Sequence, residues 1–303
     1  MRVSLWLGPH TPFAELCDAA RHAEATGWDG LWFADHFMPM GGDLARPTLE
    51  CWTVLAAFAA RVPRLTIGSL VCGNTYRHPY LLAKQAATLD QISGGRAILG
   101  LGSGWQQNEH VAYGYGFPPI GERLARLDEA CRIVRSLFEN ERTTFAGRHY
   151  ALHDAVLEPK PMQPRLPLMI GGGGERVTLR IAARHADLWN AWGTPSNIRA
   201  KLAILDRHCA DVGRAPEKIV RTAVALFHLD DDADSAARFE RASGRPCIAG
   251  NAEALQAALR EYRAMGVGEV IVPDFNLGAG AKRIRALDRL MRGVIEPLRT
   301  QRL

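Results

Sequence analysis

Eight short apolar runs recur along this chain, and each is followed by a stretch whose apolar residues have helical spacing. The runs cover residues 3–7, 30–34, 65–71, 97–101, 168–170, 187–190, 220–227 and 269–272. They are continuously apolar rather than alternating, the pattern of strands buried on both faces. The helical patterns cover residues 13–26, 49–61, 80–92, 122–140, 176–184, 196–212, 252–265 and 282–298. Eight strand–helix units are the count for a closed (β/α)8 TIM barrel, whose typical size is about 250 residues. The chain has 303 residues. The excess falls at 37–48, 145–167 and 229–248, read as insertions in the loops. No repeat, linker or low-complexity tract divides the chain, so a single domain spanning 1–303 is expected. A doubly wound sheet would need a glycine fingerprint at the first strand–helix turn, and Gly8-Pro9-His10-Thr11-Pro12 is not one.

Composition narrows the function classes. No run of about 18 apolar residues exists, so no membrane span is expected. The opening stretch is broken too early by Gly8-Pro9 to be a signal peptide and reads as the first strand. A net charge of +5 raises the question of nucleic acid. The basic residues, however, are dispersed and mixed with acids, as in Glu122-Arg123 and Arg126-Leu127-Asp128-Glu129, which marks solvated helix faces. No nucleic-acid partner is expected. The six cysteines form no C-x-x-C pair and fall mostly on apolar faces, as reduced thiols of a cytoplasmic protein do. His149 and His153 have i,i+4 spacing but flank a strand-like excursion, so no metal site is expected.

In a barrel the chemistry sits at the C-terminal ends of the strands. The fifth run ends in Gly171-Gly172-Gly173-Gly174 and passes directly into a helical pattern. Glycine admits close backbone approach, and the amides at a helix start favour an anion, so this junction suits a phosphate. A flexible turn without a ligand is the alternative. The second run ends in Asp35-His36, a couple in which His36 is free to move a proton near neutral pH. The alternative there is a loop cap. The third ends in Cys72-Gly73-Asn74, with Asn74 able to point into the barrel mouth, and Pro79 suits the first turn of the next helix. The fourth ends in Gly100-Leu101-Gly102-Ser103-Gly104-Trp105. Two glycine-lined ends in one barrel mouth describe a site for a long, flat, phosphate-bearing cofactor.

Several of these segments together resemble the bacterial luciferase-like family, and within it the branch that uses the deazaflavin coenzyme F420. They are Trp32-Phe33-Ala34-Asp35-His36, Gly68-Ser69-Leu70-Val71, Arg77-His78-Pro79, Leu89-Asp90-Gln91-Ile92-Ser93-Gly94-Gly95-Arg96, Leu99 to Trp105, and Ile170 to Arg176 with Ala186-Asp187-Leu188-Trp189-Asn190. The resemblance implies a non-prolyl cis peptide between Leu70 and Val71 that bulges under the flavin-type ring. Asp35, Gly73, Asn74, Ser103 and Gly104 would surround the ring, with Asn108 nearby. The phosphate would rest on the Gly172–Gly174 turn and on the amides of Arg176 and Val177. His36 matches the active-site proton donor of the sugar-phosphate dehydrogenases of this branch, and Asp35 would hold its orientation. Those enzymes carry a tryptophan four residues beyond the histidine and a glutamate directly after the glycine turn. This chain has Met40 and Trp105 there, which argues against glucose 6-phosphate and makes both residues candidate substrate contacts. Trp105 offers an apolar wall, or else only packs into its loop. The implied activity is hydride transfer between the deazaflavin C5 and a small organic substrate: an alcohol or ketone, an enone or an imine. The alternatives are an FMN-dependent monooxygenase fed reduced flavin by a partner reductase, and a flavin-binding barrel that has lost catalysis. A homodimer is expected.

Overall fold

The computed structural model describes residues 1–300. Its parallel strands close into a barrel: β1 (Arg2–Leu7), β2 (Gly30–Phe33), β3 (Thr66–Ser69, resuming at Cys72–Gly73), β4 (Ala97–Gly102), β5 (Leu168–Gly171), β6 (Leu188–Trp192), β7 (Val220–Val224) and β8 (Val267–Pro273). Closure is made where β1 pairs with both β2 and β8, and where β3 pairs with β4. The helices that return the chain are α1 (Phe13–Ala25), α2 (Cys51–Arg61), α3 (Pro79–Ser93), α4 (Ile120–Glu139), α5 (Thr178–His185), α6 (Pro195–Asp211), α7 (Ala252–Ala264) and α8 (Gly280–Leu290).

Local chemistry sets several of these boundaries. Pro79 and Pro195 open α3 and α6, where a missing N–H costs nothing. Asn251 caps α7 by accepting from Ala254 N at 3.0 Å. Gly94, at φ 67°, ends α3 in the left-handed conformation. The apolar faces of the helices pack on the outside of the barrel, where Phe33, Phe58, Trp189 and Tyr262 are fully buried. Each such side chain contributes about 1.5–3 kcal/mol of burial free energy. A second cluster fills the barrel itself, including Trp32, Ile98, Met169 and Ile271. Trp32 donates through Nε1 to Glu269 Oε1 at 3.1 Å, and Ser4 donates to the same oxygen. This polar plug sits towards the N-terminal ends of the strands and leaves the opposite end open.

The structure departs from the expected elements in ways that matter for the site. The run 220–227 is two strands. β7 stops at Val224, and Leu226–Leu229 leaves the barrel to pair in parallel with Cys247–Gly250. A helix, Ala233–Ala242, connects the two. Both strands are apolar because both are covered, so their junction carries no break in pattern. The run 65–71 is interrupted after Ser69, and the peptide between Leu70 and Val71 is cis, at the bond the resemblance implies. The helix expected from 176 begins at Thr178, after a turn at 175–177. The insertion at 145–167 holds an antiparallel pair, Thr143–Ala146 with Ala151–Ala155. A fourth insertion follows β4 and carries a short helix, Gln107–Ala112, that apolar periodicity alone does not reveal because its buried face is polar.

Candidate active site

A cavity of about 1160 Å³ opens at the C-terminal ends of the strands, and segments following all eight of them contribute to its walls. Its floor on one side is the Leu70–Val71 bulge. Gly102 and Gly171 make room for it: a Cβ on either would come within 2.9 or 2.7 Å of the Val71 methyls. The glycines that end β4 and β5 therefore have a structural task, seating the bulge. Gly172 and Gly173 remain as cavity wall.

His36 lines the cavity and its partner is Glu109, not Asp35. Nδ1 of His36 lies 2.8 Å from Glu109 Oε1, and the other Glu109 oxygen accepts from Phe37 N at 2.8 Å. Tyr76 also donates to Glu109 Oε1. Glu109 is fully buried. Burial alone would raise its carboxyl, but the bonds from His36, Tyr76 and Phe37 N outweigh that and hold it below the usual carboxylate range. An ionised carboxylate on Nδ1 leaves Nε2 as the nitrogen free to exchange a proton. Glu109 escaped sequence reasoning because it stands five residues beyond Gly104. Its signal was the polar spacing Gln106, Glu109, His110 on the short helix, all three buried.

Asp35 serves a different purpose from the one expected. Its Oδ2 accepts from Arg77 Nη1 at 2.7 Å and from Gly73 N at 3.3 Å. Its Oδ1 is buried without a partner in a residue that lines the cavity. Burial pushes the carboxyl above its ordinary value although the Arg77 guanidinium pulls the other way. A buried unpaired oxygen at the edge of a cavity is a place for a ligand's polar edge.

The remaining expected residues divide. Leu70, Val71, Gly73, Ser103, Gly104, Gly172 and Gly173 all line the cavity. So do Met40 and Trp105, which are 61 % and 57 % exposed. Trp105 meets the His36 ring edge-on, with centroids 5.3 Å apart, so it does more than pack into its own loop. Asn74 and Asn108 do not reach the cavity wall. Asn74 Nδ2 donates to Tyr150 Oη at 3.2 Å, and Asn108 Nδ2 donates to Pro39 O at 2.9 Å, fastening the 37–48 insertion. Gly174, Arg176 and Val177 lie outside the lining, on the exposed turn that precedes α5. Among the described residues the amides of Gly173 through Val177 have no protein acceptor, while Gly172 N donates to Asn190 O at 2.9 Å. Free amides before a helix start form a cradle with the chemistry to accept an anion; Lys201 of α6 stands beside it, with its Nζ donating to Glu175 Oε1 at 2.7 Å.

The chain is 37 % identical over 223 residues to an F420-dependent glucose-6-phosphate dehydrogenase of Kineococcus radiotolerans, covering 72 % of this chain and 65 % of that one. It thus spans less than two thirds of the length of that relative. In structure it resembles a coenzyme F420-dependent tetrahydromethanopterin reductase from Methanopyrus kandleri, with a TM-score of 0.82 at 19 % identity over 98 % of this chain and all of that one. It also resembles an F420-dependent secondary alcohol dehydrogenase, with a TM-score of 0.79 at 20 % identity over 90 % and 93 % of the two chains. At those identities the likeness speaks to the fold. The family model for luciferase-like monooxygenases matches residues 1–291, nearly the whole barrel, and the chain belongs to that family.

Proposed function

We propose that this chain is an F420-dependent oxidoreductase acting on a small organic substrate. The observation that carries the reading is the presence, in one cavity, of His36 fixed by a buried carboxylate and of the Gly172–Gly173 turn, whose free amides run outward from Gly173. F420-dependent relatives support the choice of cofactor. When bound, the deazaflavin would supply the hydride chemistry at C5. Val71 would support its ring, Asp35 Oδ1 would meet the ring's polar edge, and the Gly173–Val177 amides would hold its phosphate. His36 gives or takes the substrate proton through Nε2. Glu109 fixes the orientation of the imidazole by its Nδ1 bond. Met40 and Trp105 present apolar surface at the entrance, which suits an apolar alcohol or ketone, enone or imine better than a sugar phosphate.

Titration of the purified protein with F420 and with FMN, followed by fluorescence, tests the cofactor. Tighter binding of F420 is the expected result. Preference for FMN would replace the reading by that of a flavin monooxygenase, to which the family description also points; binding of neither would leave a barrel without catalysis. Glu109→Gln should lower turnover about tenfold, because the imidazole loses the carboxylate that fixes its orientation. Unchanged turnover would remove Glu109 from the mechanism. We further infer a homodimer in the cytoplasm. Six free, buried cysteines suit a reducing compartment, and no helix of the described residues is long and apolar enough to cross a membrane. Light scattering should give twice the 33.3 kDa chain mass, and a monomer would overturn the dimer.

A further inference from the structure

Two buried polar atoms on the β1–β8 side of the cavity, Asp274 Oδ2 and Trp6 Nε1, have no hydrogen-bond partner and no place in the mechanism above. Asp274, directly after β8, is 3 % exposed, and Trp6 of β1 is 8 % exposed; both line the cavity. The neighbouring chains are locked together: Asp274 N donates to Trp6 O at 3.0 Å, and Asp274 Oδ1 accepts from Gly8 N at 2.9 Å. That leaves Asp274 Oδ2 without a hydrogen bond, and Trp6 Nε1 is likewise unpaired. Arg283 of α8 approaches Oδ2 to 3.2 Å through Nε, but that N–H is donated to Gly278 O, so Arg283 balances the charge without occupying the oxygen. Phe275 packs edge-on against Trp6 at 5.1 Å, which gives the spot an aromatic wall. Buried polar atoms left unpaired are unfavourable, and a ligand supplying both bonds removes that cost.

We propose that Asp274 and Trp6 form a second subsite of the cavity that recognises a neutral carboxamide or hydroxyl on a flat substrate. An N–H or O–H of the ligand donates to Asp274 Oδ2, and its oxygen accepts from Trp6 Nε1. A cation is not required, because Arg283 already compensates the carboxylate, and an anion is repelled by it. In the barrel order β2, β1 and β8 are consecutive, so this subsite would hold the end of the substrate remote from the carbon that faces His36. That assignment to substrate rests on the oxidoreductase reading; the binding chemistry itself does not.

The probes are benzamide, which has both groups, acetophenone, which keeps the shape and the acceptor alone, and benzoate. Affinities are measured by ligand-observed NMR on the purified protein, with and without saturating F420. Benzamide should bind about tenfold more tightly than acetophenone, the worth of one hydrogen bond to a charged group, and benzoate should bind more weakly than benzamide. In Asp274→Asn the Gly8 bond keeps the amide oxygen in place and turns the Oδ2 position into a donor, so the preference for benzamide should vanish. Trp6→Phe keeps the ring and should weaken both neutral probes alike, preserving their ratio; it carries the test if Asp274→Asn does not fold. Equal binding of benzamide and acetophenone to the unaltered protein, or an unchanged preference in Asp274→Asn, overturns the subsite. A preserved benzamide preference in a protein that fails to bind F420 would overturn the F420-dependent reading and leave the subsite standing.

Discussion

His36→Ala should lower turnover by about 10²–10⁴-fold while F420 affinity changes little, the range for loss of a positioned acid or base. His36 sits at the end of β2, lines the cavity, and commits only Nδ1 to the protein, at 2.8 Å from Glu109 Oε1. Nε2 is therefore the nitrogen available to the substrate. The ring is held by a carboxylate whose own hydrogen bonds keep it below the usual carboxylate range. Removing the ring leaves Glu109 buried and still bonded to Tyr76 and Phe37 N, so the fold should survive. Steady-state kinetics and an F420 fluorescence titration on the same variant decide between roles. A collapse of affinity with turnover intact at saturation would make His36 a cofactor contact. Full turnover would assign the proton to water or to the substrate itself.

The second large effect is expected at Gly173. Gly173→Phe should weaken F420 binding by about 10²-fold or more with little change in thermal stability, because the side chain would fill the amide cradle. The position is chosen on steric grounds. A Cβ there would meet Lys201 Cε at 3.6 Å and Ala191 Cβ at 4.0 Å, ordinary van der Waals contact. Its neighbours would not isolate the effect. Gly172 has φ 128°, so a side chain there would strain the backbone, and a Cβ on Gly174 would clash with Thr178 Oγ1 at 2.7 Å. Differential scanning fluorimetry and the F420 titration separate the two quantities. Unchanged affinity would move the phosphate away from this turn.

Much of the barrel was legible in the chain. Continuous apolar runs of strand length, separated by helical patterns, specify strands buried on both faces, and eight such units leave few architectures open. The glycine turns after β4 and β5 and the Asp35-His36 pair could be placed at the barrel mouth from that order alone. The four glycines before a helix start likewise read as a place where the backbone is exposed at the barrel mouth, and Gly172 and Gly173 line the cavity.

What local pattern could not supply was the partner of each polar group. Asp35 and His36 are adjacent in sequence, yet successive residues leaving a strand point to different sides. Asp35 turns to Arg77 and Gly73 N, and His36 turns to Glu109, which lies 73 residues further on. Gly102 and Gly171 read as ligand glycines and prove to seat Val71, a contact between three different strands. Asn74 and Asn108 have the chemistry of cofactor ligands, but their amide N–H groups are engaged by Tyr150 and the Pro39 carbonyl. The run 220–227 gave no sign of dividing, because apolar periodicity records that a strand is covered and not which sheet covers it. Sequence thus determined the number, order and burial of the elements, which depend on spacing along the chain. Tertiary structure decided which side chains meet in the barrel mouth, because those contacts join residues whose separation along the chain carries no periodic signal.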